Sequence, residues 1–199
     1  MAAFASIYAK NFKDGETYRD WKDLDNQNHL NVGKAGQVNW VMCLKFTIDR
    51  PMKSITLNFV NAFNISRLPA FNYKFTTAED SSLINAKADT EGEGTVQGDN
   101  TESYSTNTFV IEKTLLPGTH YLYFWTNYWD SATTTYNYMG VRFGGGSNDS
   151  TVTYEVLPSL VYLADGSAMV AFEICIDNGS SWDFFCPQIA NGSSWDTFS

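Results

Sequence analysis

Ser54-Ile55-Thr56-Leu57-Asn58-Phe59-Val60 alternates polar and apolar residues along its length. Successive side chains of an extended chain point to opposite faces, so Ile55, Leu57 and Phe59 share one side and Ser54, Thr56 and Asn58 the other. The same period of two runs through Phe71, Tyr73 and Phe75. It returns over residues 120–125, where Tyr121, Tyr123 and Trp125 alternate with Leu122 and Phe124. Residues 38–48 read as another strand, with Trp40, Leu44, Phe46 and Ile48 partly on one face. Residues 109–111, 138–143 and 151–156 supply further candidates. Turn chemistry separates them: Pro51 within Asp49-Arg50-Pro51-Met52-Lys53, Leu116-Pro117-Gly118, and the run Gly144-Gly145-Gly146-Ser147-Asn148-Asp149. Short alternating strands punctuated in this way predict an all-β chain, an antiparallel β-sandwich of jelly-roll type.

The flanks are less patterned. Residues 1 to about 37 are mixed, with a turn at Phe12-Lys13-Asp14-Gly15 and a loop at Asn31-Val32-Gly33-Lys34-Ala35-Gly36 indicated by its glycines. Residues 79–107 are polar and read as long surface loops. The pattern changes near Leu157-Pro158, which divides the chain into a sandwich domain over 1–157 and a different segment over 158–199.

That last segment repeats. Leu163-Ala164-Asp165-Gly166-Ser167-Ala168-Met169, Ile176-Asp177-Asn178-Gly179-Ser180-Ser181-Trp182 and Ile189-Ala190-Asn191-Gly192-Ser193-Ser194-Trp195 begin thirteen residues apart. Each has an aliphatic residue, an Asp-Gly or Asn-Gly pair, small polar residues and a bulky apolar residue. Asn-Gly and Asp-Gly suit a type I′ turn because both central residues need φ > 0, so the segment predicts three consecutive hairpins. About 40 residues of hairpin bury too little surface to stand alone. Met169, Trp182 and Trp195 therefore need cover, either from the sandwich domain or from other copies of the chain, and a homotrimer would supply it.

The segment Ile-Asp-Asn-Gly-Ser-Ser-Trp-Asp at 176–183, with its degenerate copy ending in Trp195-Asp196-Thr197-Phe198, resembles the tandem C-terminal motif of minor structural and tail proteins of bacteriophages. Leu44-Lys45-Phe46-Thr47-Ile48 and Leu116-Pro117-Gly118-Thr119-His120-Tyr121-Leu122-Tyr123 are similar in style to phage tail and baseplate domains. The first repeat departs from the motif, with Met169 in the Trp position. The resemblance implies a virion protein of a tail or surface appendage, assembled in the host cytoplasm with other virion proteins and contributing to host attachment. A capsid-decoration (head fibre) protein and a free carbohydrate-binding module are the alternatives. No catalytic residue carries over.

Charge and motif content narrow the function classes. Thirteen basic residues against 22 acidic ones give a net charge of −9. Nucleic acid is an unexpected partner, since phosphate neutralisation needs a basic patch. No run approaches the ~20 apolar residues of a membrane span, and the N-terminus lacks the basic start of a signal peptide. His29 and His120 are the only ordinary imidazole bases. His120 reads as a residue capping or exposed at a strand start. Neither a nucleophile elbow nor a Walker loop nor a metalloprotease motif is present, so no enzyme activity and no cofactor are expected. The acids Glu79-Asp80 and Glu91/Glu93 read as solvated loop residues, and Asp23, Asp25, Asn26 and Asn28 as a polar turn rather than a metal site. Cys43 reads as a small core residue. With Asn178-Gly179 as a two-residue turn, Cys175 would oppose Trp182, which disfavours a disulfide to Cys186. The candidate ligand site is the aromatic stretch Trp125-Thr126-Asn127-Tyr128-Trp129-Asp130, with Tyr136. Trp125 belongs to the core, whereas Tyr128, Trp129, Asp130 and Tyr136 could stack on and orient a host cell-surface glycan.

Overall fold

The computed structural model describes residues 2, 4–12, 15–21, 29–35, 38–61, 70–98, 104–127, 136–142, 149–157, 160–165, 168–173, 175–177, 182–184, 188–191 and 194–197. The chain is all-β and antiparallel. It forms two compact units, Met1–Val156 and Leu157–Ser199.

Among the described residues, twelve strands build the first unit: β1 (Ser6–Asn11), β2 (Arg19–Asp20), β3 (His29–Ala35), β4 (Val38–Trp40), β5 (Met42–Ile48), β6 (Met52–Val60), β7 (Ala70–Thr76), β8 (Gly94–Gln97), β9 (Thr106–Leu115), β10 (Gly118–Thr126), β11 (Tyr136–Arg142) and β12 (Thr151–Val156). A six-stranded sheet has the order β2-β1-β5-β10-β7-β8, and two three-stranded sheets have the orders β11-β3-β4 and β12-β6-β9. An antiparallel bridge between Asn61 and Val141 links the two smaller sheets. From β5 through β7 the chain crosses to the other sheet at each step, and it does so again from β9 to β10, a sandwich-like arrangement.

The alternation of the sequence explains the packing. Leu44, Phe46, Leu122, Phe124, Phe71 and Phe75 of the large sheet meet Ile55, Leu57, Phe59, Phe109, Ile111 and Tyr154 of the opposing layer in one buried cluster. Phe59 meets Phe124 at 6.0 Å between ring centroids, and Phe71 meets Phe109 at 6.3 Å, both edge to face. Each such side chain contributes roughly 1.5–3 kcal/mol by leaving water. Tyr123 and Trp125, the alternate residues of β10, enter a second cluster with Phe12, Val41, Cys43, Leu83 and Ala86. The large sheet is therefore covered on both faces, and Leu122 to Thr126 are buried without interruption. Cys43 is a free, buried thiol, as its apolar surroundings in the sequence indicated.

Several expectations are corrected. Residues 31–35 belong to strand β3, not to a loop: Gly33, at φ 113, pairs with both Trp40 and Tyr138. The single strand expected over 38–48 is two, in different sheets, separated at Val41, whose carbonyl accepts from the Phe12 amide at 2.6 Å. The polar stretch 79–107 includes a 3-10 turn, Ser81–Asn85, and strand β8. Its Leu83 and Ala86 are buried because they cover the outer face of the large sheet. Among the described residues, strand β9 is an edge strand of its sheet. Its register against β6 shifts between Met52 and Ser54, so Lys113 and Thr114 oppose Lys53 alone, as a β-bulge.

The second unit holds three two-stranded sheets: β13 (Leu160–Asp165) with β14 (Ala168–Glu173), β15 (Cys175–Asp177) with β16 (Trp182–Phe184), and β17 (Gln188–Asn191) with β18 (Ser194–Thr197). All three share one register. Leu163↔Val170, Ile176↔Asp183 and Ile189↔Asp196 are equivalent pairs, each pairing advanced by the thirteen-residue repeat. The pairing axis falls between Gly and Ser, not between Asx and Gly. Asp165 pairs with Ala168, Asn191 with Ser194, and Asp177 with Trp182. Cys175 consequently faces Phe184, not Trp182.

Candidate functional site

Strand β10 carries the chain toward the aromatic stretch singled out in the sequence. Trp125 is wholly buried, consistent with its core assignment, and Thr126 is buried beside it. Asn127 is exposed, and its amide donates to the Ala70 carbonyl at 3.1 Å. Tyr128, Trp129 and Asp130 lie outside the described residues, as do Asp23, Asp25, Asn26 and Asn28. Tyr136 is the first residue of β11, in register with Ala35. Met169, Trp182 and Trp195 occupy equivalent positions of successive hairpins, opposite Ala164, Asp177 and Ala190.

Two polar arrangements escaped sequence reading. The first lies on the outer face of the large sheet. Lys10 of β1 is 5% exposed, and its ammonium sits 4.0 Å from the Tyr18 ring centroid and 4.8 Å from that of Phe12. Both Glu79 oxygens are 3.4 Å from the Lys10 Nζ. Tyr18 donates its hydroxyl hydrogen to Glu79 Oε2 at 2.7 Å, and its oxygen lies 3.4 Å from Cys43 Sγ. Burial, followed by the neighbouring Cys43, drives the Tyr18 phenol well above its ordinary value. Burial likewise pushes the Cys43 thiol up to about 12 and raises Tyr123. All three stay protonated near neutrality, so Cys43 has none of the thiolate character a nucleophile needs. Glu79 is paired rather than merely solvated. Its neighbour Asp80 binds Lys74 at 3.2 Å and caps the 3-10 turn by accepting from the Ser82 amide at 3.1 Å. No spacing rule could have joined Lys10, Tyr18, Cys43 and Glu79, because four separate stretches of chain bring them together.

The second is a groove of about 390 Å³ lined by Phe75, Thr76, Thr77, Lys113, Leu115 and His120. It opens where the end of β7, the bulged end of β9 and the start of β10 meet. His120 is 7% exposed rather than displayed at the strand start. Its Nε2 donates to the Leu116 carbonyl at 2.8 Å, as a carbonyl can only accept. Its Nδ1 is buried without a partner among the described residues. Lys113 holds Glu93 Oε1 at 3.1 Å, while Glu93 Oε2 accepts from the Phe75 amide at 3.3 Å. Glu93 is thus engaged too, although the sequence placed it in a solvated loop.

Among the described residues no group of three His, Cys, Asp or Glu side chains could hold a metal ion. Comparison with protein-family models, with curated proteins and with solved structures finds no match.

Proposed function

We propose that this chain is a structural component of a bacteriophage virion, part of the tail or another surface appendage, and that it contributes to host attachment. One observation carries the reading: three C-terminal hairpins hold a single register at a thirteen-residue repeat, over the residues whose motif resembles phage tail proteins. Repetition of one supersecondary unit suits an extended appendage better than an enzyme pocket. A sandwich with a covered core can carry loops and grooves for recognition without a catalytic centre.

The test is the composition of the purified particle. Mass spectrometry of gradient-purified virions should detect the chain, and gold-labelled antibody should mark the tail or an appendage in electron micrographs. Label on the head would make it a capsid-decoration protein. Absence from particles would overturn the virion reading and favour a free binding module.

A further inference from the structure

We infer that the groove lined by Phe75, Thr76, Thr77, Lys113, Leu115 and His120 is a saccharide-binding site. The inference rests on the attachment reading only for the source of the ligand, a host surface glycan; the site itself is argued from its chemistry. A volume of about 390 Å³ falls within the usual range of small-molecule sites and has room for about one or two sugar rings.

A sugar ring presents an apolar face and a rim of hydroxyls that both donate and accept. The groove offers the same combination. Half-buried Leu115 supplies most of the apolar surface; Phe75, 7% exposed and 5.9 Å below the Lys113 ammonium, offers only an edge. Lys113 lines the groove at 36% exposure, and its partner Glu93, 34% exposed, stands next to the lining rather than in it. The ammonium has three N–H donors and the carboxylate about four acceptor positions, so their mutual bond leaves both able to bind hydroxyls. Because the pair is neutral as a unit, it selects no charged ligand. Thr77 adds an exposed hydroxyl. The β-bulge of β9 lies at Lys113 and Thr114, and bulges of this kind aim side chains at sheet edges.

The experiment uses the full chain and saturation-transfer NMR with glucose, galactose, N-acetylglucosamine and rhamnose, each at millimolar concentration. At least one should give a transfer signal. Lys113→Met keeps the aliphatic stem and removes the donors, and should weaken binding about tenfold. Thr77→Trp, at an exposed position, fills the groove and should abolish the signal. A thermal midpoint within a few degrees of wild type confirms that each variant folds. No signal from any sugar would overturn the site, and so would a signal unchanged in folded Thr77→Trp. Displacement of the sugar by an aliphatic carboxylate, with tighter binding of the latter, would overturn it as well. Particle composition is read separately, so failure here leaves the virion reading standing.

Discussion

Tyr18 donates its hydroxyl hydrogen to Glu79 Oε2 across 2.7 Å and lays its ring 4.0 Å from the Lys10 ammonium. The segment around Tyr18 is thereby fastened over the outer face of the large sheet. Tyr18→Phe keeps the ring and deletes the hydroxyl. It should cost about 1 kcal/mol, less than the ~1.5–3 kcal/mol usual for a bond to a charged acceptor, because Glu79 is 41% exposed. Denaturant unfolding would measure it, and an unchanged midpoint would show that the bond contributes nothing.

Stability should fall on the alkaline side. Burial raises the thiol of Cys43 to about 12 and raises the phenols of Tyr18 and Tyr123. A group whose folded pKa exceeds its unfolded value contributes fully below the unfolded pKa and loses that contribution as pH rises toward the folded one. For Cys43 the window runs from about 8.5, the ordinary thiol value, to about 12. Thermal midpoints should decline through it, and Cys43→Ala should flatten the first part of that decline. A flat profile in the wild type would contradict the burial of the thiol.

Asp80 behaves in the opposite sense. Its bonds from Ser82, then its contact with Lys74, hold the carboxyl below the usual range despite some desolvation. A depressed folded pKa gives stability that is present above the unfolded value, about 3.9, and is lost as pH falls through the folded one. Asp80→Asn should therefore destabilise at pH 7 by about 1 kcal/mol and by less at about pH 3. Paired unfolding curves at the two pH values would check it; an equal penalty at both would assign the effect to the geometry of the cap alone.

Trp125 and Trp129 should separate under substitution. Trp125→Ala empties a fully buried position and should cost about 3–5 kcal/mol. Trp129→Ala, at the break in alternation after β10, is expected from sequence to cost little and to weaken adsorption to host cell-wall material. A core-sized loss at Trp129 would remove the case for a ligand contact there.

Oligomeric state tests the hairpin unit. Isolated two-stranded hairpins are marginal in water, and a homotrimer would give Met169, Trp182 and Trp195 partners in neighbouring copies. Light scattering should report a trimer for the full chain and a monomer after truncation at Leu157. A monomeric full chain at micromolar concentration would sink the trimer.

The period of two made the central strands legible. In β10 it also sorted residues correctly between two cores, with Leu122 and Phe124 on one face and Tyr123 and Trp125 on the other. Glycine misled at Gly33, where a conformation typical of turns sits inside a paired strand. Strand β1 gave little signal because Ala9 and Lys10 are its most buried residues, and a buried lysine is visible only once Glu79 and two aromatic rings surround it. The hairpin repeat was legible in its period. Its turn residues were displaced by one, because Asx-Gly preference does not fix which two residues close the ladder. The groove depends on the meeting of β7, β9 and β10, which no local pattern encodes.

The bulge in β9 has one more consequence. A ten-residue strand at a sheet margin is a template on which foreign chains can stack without limit, the first step toward insoluble fibres. The extra residue at Lys113 and Thr114 twists the last third of that margin out of plane, and a partly buried ammonium would have to be stripped of water by any newcomer. Deleting Thr114 would straighten the margin and turn a self-limiting molecule into one prone to precipitate as its concentration rises.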